Sequence, residues 1–314
     1  MSAISLDDKY DWHAPRALTS GRQALVALML AQRELDRKRG YKTAGFVSGY
    51  RGSPLGGVDF EFRKARQTLE AADIFFQPGL NEDLALTSLA GTQQLGFLPD
   101  PKVEGVFGLW YGKGPGVDRS GDAIKHANLA GVAQRGGIVL AFGDDHAGKS
   151  STTAHQSDLT LASWEVPVLY PASVAEIIEY GLAAFAMSRF AGSLVALKLV
   201  NETADGTAIL AHDHLPDFIE PSLPEVAADV HHRSEVMAVL QQDARVVRQK
   251  LPRAGAFARA NGLDGIRFGA DRPRLLIATP GKAYPDVLAA LEKLGIDAAA
   301  ARHAGIGVYK IALL

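Results

Sequence analysis

GFVSGYRGSPLGG (residues 45–57), followed about a helix's length later by FFQPGLNEDLALTSLAG (residues 75–91), decides the fold. An apolar run at 44–47 enters a glycine-rich turn. A helical segment follows, then a second apolar run at 74–76 ends in Pro78-Gly79 and leads to an acidic helix start, Asn81-Glu82-Asp83. Short apolar runs bounded by turn residues and separated by helical patterns make a βαβα unit. Ligands of open α/β sheets sit beyond the carboxyl ends of the strands, so Ser53 and Glu82 are expected at one such edge.

The same alternation continues on both sides. Thr19-Ser20-Gly21 opens a helix over 22–39 with Gly40 at its C-cap. Strands are expected at 103–109, 137–142, 167–171 and 194–200. Helices are expected at 122–133 and 158–164, and another runs to Phe190 behind the capping residues Ser173 and Glu176. Residues 110–122 read as a glycine-rich loop. The pattern specifies an α/β fold with a doubly wound, mostly parallel sheet over residues 1–204, opening with an extended leader at 1–19. Residues 205–272 read as an irregular and helical linker, in which a charged helix at 235–251 is ended by Pro252. Residues 273–314 begin a second α/β domain of two strands (274–279, 307–314) and one helix (284–294). So small a unit buries too little apolar surface to stand alone, and the chain is expected to be part of a longer protein.

The 314 residues are 47% hydrophobic and 22% charged, with a net charge of -2. Neither a nucleic-acid binder nor an anionic-membrane binder is indicated by that balance. No apolar run approaches the ~18 residues of a membrane helix. The absence of cysteine excludes disulfides, thiolate metal sites and cysteine-held iron–sulfur clusters within this chain. It suits a reducing cytoplasm, the expected location.

Several residues bear chemistry. Residues 143–150 match G-x-x-x-x-G-K-S after a strand, the pattern of a phosphate loop with Lys149 on phosphate and Ser150 on magnesium. Against it, Asp144 and Asp145 stand where phosphate would approach, and the residues after Ser150 are poor helix formers. Gly112–Gly121 contains G-x-G, but Pro115 deletes an amide donor. A surface loop and a ligand-edge loop carrying Lys113, Asp118 and Arg119 remain equal readings of it. Glu82 is either a partner for a helix dipole or a carboxylate set to share a proton with a ring nitrogen. Of the histidines, His146, in the cluster Asp144-Asp145-His146, lies at a strand end, and His155 follows in the same loop region. His212, His214, His231 and His232 lie in polar stretches and read as solvated, and no metal site is assigned.

Four blocks, GFVSGYRGSPLGG, FQPGLNEDLALTSLAGTQQ, GVFGLWYGKGPGVDRSGDAIKHAN and GDDHAGKSSTTAHQSD, in that order, resemble the N-terminal part of the fused-type indolepyruvate ferredoxin oxidoreductases. These are thiamine diphosphate-dependent 2-oxoacid:ferredoxin oxidoreductases. The resemblance spans about residues 1–200 and continues more weakly to the end. It implies that the first domain binds the cofactor's aminopyrimidine, with Glu82 favouring the imino tautomer. It implies that Tyr50, Gly52, Ser53 and Pro54 line the site, Ser53 replacing a threonine, and that Asp144 and Asp145 lie in a loop at the same edge. It makes the phosphate-loop match coincidental and the second domain an incomplete transketolase C-terminal-like domain. The implied reaction is oxidative decarboxylation of indolepyruvate or another 2-oxo acid, with coenzyme A taking the acyl group and ferredoxin the electrons. The diphosphate-binding Gly-Asp-Gly motif is absent from this sequence. Magnesium, the diphosphate and the iron–sulfur clusters are therefore expected on another domain or subunit, in an oligomeric assembly. A phosphate-loop nucleotide-binding module (Gly143–Ser150) and a non-catalytic subunit of the same fold are the alternatives.

Overall fold

A computed structural model describes residues 8–11, 16–148, 150, 152–211, 215–223, 230–232 and 238–314. The strands are β1 (Ala17–Ser20), β2 (Thr43–Gly49), β3 (Ile74–Phe76), β4 (Gly105–Lys113), β5 (Ile138–Asp144), β6 (Val168–Leu169), β7 (Val195–Val200), β8 (Thr207–Leu210), β9 (Gly265–Gly269), β10 (Leu275–Pro280) and β11 (Ile306–Ile311). The helices of the first half are α1 (Gly21–Lys38), α2 (Val58–Lys64), α3 (Arg66–Ala71), α4 (Glu82–Thr92), α5 (Gly114–Arg119), α6 (Gly121–Ala130), α7 (Ser157–Ser163), α8 (Val174–Ala191) and α9 (Asn201–Asp205). Those of the second half are α10 (Val239–Arg245), α11 (Leu251–Ala260), α12 (Ala283–Lys293) and α13 (Ala298–Ala304). Among the described residues no helix is long and apolar enough to cross a membrane.

Six strands form one sheet in the order β3-β2-β4-β5-β7-β6, and every pairing in it is parallel. Strand alternation splits its side chains between two cores. Phe107, Leu109, Tyr111, Val139 and Ala141 pack against α1 and α8. Trp110, Ile138, Leu140 and Phe142 pack against α4, α6 and α7. All seven residues of β5 are buried, as expected of a central strand covered on both faces.

Helix starts follow their caps. Ser20 accepts from the Gln23 amide in a complete capping box, Asn81 accepts from Leu84, and Ser173 accepts from Glu176. Beneath the sheet, Asp36 of α1 is fully buried. It accepts from both terminal nitrogens of Arg189 on α8 at 2.6 and 2.8 Å and from Thr43 at the start of β2 at 2.6 Å.

Four expectations are corrected. Residues 110–113 continue β4, and α5 replaces the rest of the expected loop. Trp110 and Tyr111 are buried on opposite faces of the sheet, and Pro115 sits in the first turn of α5, where a missing N–H is harmless. Residues 17–20 and 207–210 are an antiparallel ribbon rather than leader and irregular linker; residues 1–7 and 12–15 lie outside those described. Pro252 does not end a helix: the turn Val246–Lys250 is π-helical, and α11 continues through the proline. That wider turn has room for a ring that would clash in a regular helix. Glu235, the expected start of this helix, lies outside the described residues.

The second sheet has three strands, in the order β10-β11-β9. β10 runs parallel to β11, and β9, unforeseen in the sequence, runs antiparallel to it. This sheet leans on the first: Leu313 bridges Leu169 of β6, and the Tyr170 amide donates to the Ala312 carbonyl at 2.9 Å. Lys310 is paired with Glu176 between the rings of Tyr180 and Tyr284.

Lys250, at the end of the π turn, is fully buried. Its ammonium donates to the carbonyls of Asn128 at 2.9 Å and Leu129 at 3.2 Å, near the end of α6, where a helix dipole favours a cation. Burial, aided by nearby Arg245, lowers its pKa from 10.5 to about 7. A folded-state pKa below the unfolded one penalises the native state fully below the folded value, and the penalty fades as pH rises toward the unfolded value. Lys250→Met should therefore gain stability relative to wild type most at pH 7, with the difference shrinking by up to ~1.4 kcal/mol per pH unit toward pH ~10. Urea titrations across that range measure this; a pH-independent difference contradicts it.

Candidate functional site

β2, β3, β4, β5 and β7 bring their carboxyl ends to one edge. Backbone bonds tie these ends together: the Tyr50 amide donates to the Tyr111 carbonyl at 3.0 Å, and the Gly79 amide to the Gly49 carbonyl at 2.9 Å. The turn after β2 contains a cis Ser53–Pro54 peptide and packs against the end of β5, where a Cβ on Gly143 would lie 2.6 Å from the Pro54 ring.

The Ser53 hydroxyl donates to Asn201 Oδ1 at 3.4 Å, and Asn201 Nδ2 donates to Asp145 Oδ1 at 3.3 Å. The Ser150 amide donates to Asp145 Oδ2 at 3.1 Å, and Lys113 Nζ reaches the Ser150 carbonyl at 3.4 Å. The Lys113 stem crosses Gly52, where a Cβ would stand 2.5 Å from its Cδ. Turn and strand ends thus form a closed polar rim. Tyr50 lies outside it, partly exposed at 37%, beside Arg51.

Glu82 sits differently. It is the first residue of α4 behind the Asn81 cap, and it is only 6% exposed. Its carbonyl accepts from the indole of buried Trp110 at 2.9 Å. Its carboxylate lies against Gly116 of α5, where a Cβ would come within 2.6 Å of both Cγ and Oε1. No donor among the described residues bonds that carboxylate. A buried carboxylate without a donor is unfavourable unless something neutralises it, and the amino end of α4 offsets only part of that. Between the end of β3 and α4 opens a cleft of 340 Å³ lined by Ser48, Gln77, Gly79, Leu80 and Leu84, and Glu82 is not part of its lining.

The paired aspartates separate. Asp144 is fully buried and accepts from the Ser157 amide and hydroxyl, the latter at 2.7 Å. It also pairs with Lys198 at 3.2 Å, which reaches Asp158 at 3.1 Å. Asp144 therefore anchors α7 to β5 and β7, whereas Asp145 faces the rim. Among the described residues after Ser150 the next helix begins only at Ser157, so the helix amino end that a phosphate loop uses is not found there; Lys149 lies outside the described residues.

Among the described residues no group of three His, Cys, Asp or Glu side chains is placed to hold a metal. His155 binds the Thr153 carbonyl through Nδ1 at 3.1 Å and faces Asp118 at 3.4 Å. His231 and His232 are half-buried rather than solvated. His231 donates to the Arg189 carbonyl at 2.7 Å, and His232 lies 5.0 Å from the Phe97 ring. His212 and His214 lie outside the described residues. Sequence reasoning missed Asn201, whose position just after β7 was its only signal, and the seat that Gly116 makes for Glu82.

If Asp144 is an anchor, Asp144→Ala should lower stability by about 3 kcal/mol, because Lys198 stays buried with only Asp158 opposite it. The urea midpoint reads this loss, and an unchanged midpoint contradicts it.

Residues 266–314 match the indolepyruvate oxidoreductase domain. No curated protein matches the chain. Among solved structures, it is similar to the 2-oxoglutarate:ferredoxin oxidoreductase from Magnetococcus marinus, determined with 2-oxoglutarate, coenzyme A and succinyl-CoA bound. That likeness has a TM-score of 0.65 at 13% identity and covers 96% of this chain and 54% of that one. A transketolase from Pichia stipitis aligns at TM-score 0.45 and 12% identity, over 98% of this chain and 39% of that one. The chain thus spans about half the length of the Magnetococcus protein and shares its fold.

Proposed function

We propose that this chain supplies the aminopyrimidine-binding part of a thiamine diphosphate site in a 2-oxoacid:ferredoxin oxidoreductase of the indolepyruvate type. The observation that carries the reading is Glu82: a carboxylate almost wholly buried at the ligand edge of the sheet, seated on Gly116, with no donor among the described residues. A ring nitrogen that shares a proton is the partner this environment lacks. The residues present fit that half of the cofactor. Glu82 would hold the ring nitrogen, and the turn Tyr50, Gly52, Ser53 and Pro54 would wall the site, with the Ser53 hydroxyl oriented by Asn201. Asp145 contributes by fixing Asn201.

When bound, the cofactor supplies a nucleophilic carbon for the keto group of a 2-oxo acid. This chain's share is to hold the ring and to keep a proton moving at the Glu82 carboxylate. Its low exposure limits how readily that proton is lost to solvent. The overall reaction takes a 2-oxo acid, coenzyme A and two oxidised ferredoxins to acyl-CoA, carbon dioxide, a proton and two reduced ferredoxins. The match over 266–314 supports indolepyruvate as the acid. The diphosphate and magnesium are assigned to a domain or subunit carrying the Gly-Asp-Gly motif that this sequence lacks. The iron–sulfur clusters are assigned outside this cysteine-free chain.

The test is Glu82→Gln in the assembled enzyme, assayed with indolepyruvate, coenzyme A and a low-potential dye. Loss of a positioned proton-transfer group should lower kcat by ~10²–10⁴ while the melting temperature stays within a few degrees of wild type. Unaltered turnover would leave the chain a scaffold and end this reading.

A further inference from the structure

The opposite edge of the sheet carries a second polar feature. At the amino ends of β2 and β5, beside the last turns of α8, a cavity of 160 Å³ is lined by Arg39, Arg135, Arg189 and Arg253, with Tyr41 and Glu220. Four guanidiniums around one cavity repel one another unless carboxylates intervene, and among the described residues the supply of carboxylates is short. Asp36, from below, takes both terminal nitrogens of Arg189. Asp217 pairs with Arg39 at 2.9 Å, but from a side chain 98% exposed, where an ion pair is weak.

Among the described residues Arg135 and Arg253 are left with Glu220, which is exposed. The Arg135 guanidinium stacks on the Tyr41 ring at 3.7 Å and makes no hydrogen bond or ion pair among the described residues. Arg253 gives its Nε to the Phe190 carbonyl at 2.7 Å and lies 4.3 Å from that residue's ring. Burial lowers the Arg253 pKa, and Glu220 offsets part of that. Both forks are therefore held in place by stacking, with N–H groups left over. Stacking fixes a guanidinium plane while leaving its edge free for a bidentate acceptor.

We propose that this cavity binds a phosphate group, as inorganic phosphate or as the end of a small phosphate monoester, between Arg135 and Arg253. At ~30 Å³ per water, the cavity holds about five waters, enough for one tetrahedral oxyanion and the first atoms of an ester. A doubly charged oxyanion matches two forks better than a carboxylate, which one fork saturates. The site lies at the other end of the strands from Glu82 and does not depend on what Glu82 does.

Calorimetric titration of the 314-residue chain at constant ionic strength tests it, with separate arms of inorganic phosphate, glycerol 3-phosphate and acetate. Phosphate or its ester should bind saturably with Kd below ~1 mM, and Arg135→Gln should weaken that binding at least about tenfold. The surface variant Lys293→Gln, which removes an equal charge elsewhere, should leave it unchanged. The tighter of the two phosphate arms identifies the source. The proposal is overturned by an absence of saturable heat at ~20 mM ligand, by acetate binding as tightly as phosphate, or by an Arg135→Gln affinity equal to wild type. If Arg135→Gln does not fold, Arg253→Gln replaces it with the same two outcomes.

Discussion

A parallel sheet hidden on both faces has only the ends of its strands left for polar chemistry, and this constraint governs the chain. β5 is buried along its whole length, with α1 and α8 on one side and α4, α6 and α7 on the other. Two buried ion pairs obey the same rule. Asp36–Arg189 closes the amino edge beneath β2, and Asp144–Lys198 closes the carboxyl edge between β5 and β7. Each charge has at least one hydrogen-bond partner besides its counter-ion, or a second carboxylate nearby, which is the condition under which buried charge is tolerable. Polar groups that the scaffold does not consume are left at the rims: Glu82 at one, Arg135 and Arg253 at the other.

Most of the first sheet was legible in the sequence, because its strands are short, wholly apolar and followed by turn residues, and because Ser20, Asn81 and Ser173 announce their helices. What was illegible has particular physical causes. Trp110 and Tyr111 stand before a glycine-rich run that looks like a loop, yet each ring fills a separate core. The ribbon of β1 and β8 pairs segments almost two hundred residues apart, and no local pattern encodes such a partner. β9 is half-buried and interrupted by an arginine, so its period is faint.

The candidate site divides in the same way. The place of Glu82 at a helix start was readable from Asn81 and the acidic pair, but its seat was not, since Gly116 reaches it only through the turn from β4 into α5. Asp144 and Asp145 are neighbours in sequence and differ in environment because consecutive residues at a strand end point to opposite sides. One is drawn under α7, and the other is turned to the rim. A pattern that treats them as a pair cannot separate an anchor from a rim group.

The contact between Tyr170 and Ala312 has a consequence for how the molecule breathes. The donor belongs to the edge of the first sheet and the acceptor to the tail of the second, so that amide is protected only while the two are docked. Were the second sheet to detach as a unit, the Tyr170 amide would exchange with solvent long before its neighbours in β7, which are held within the first sheet alone. One backbone proton thus reports whether the chain opens in two stages or in one.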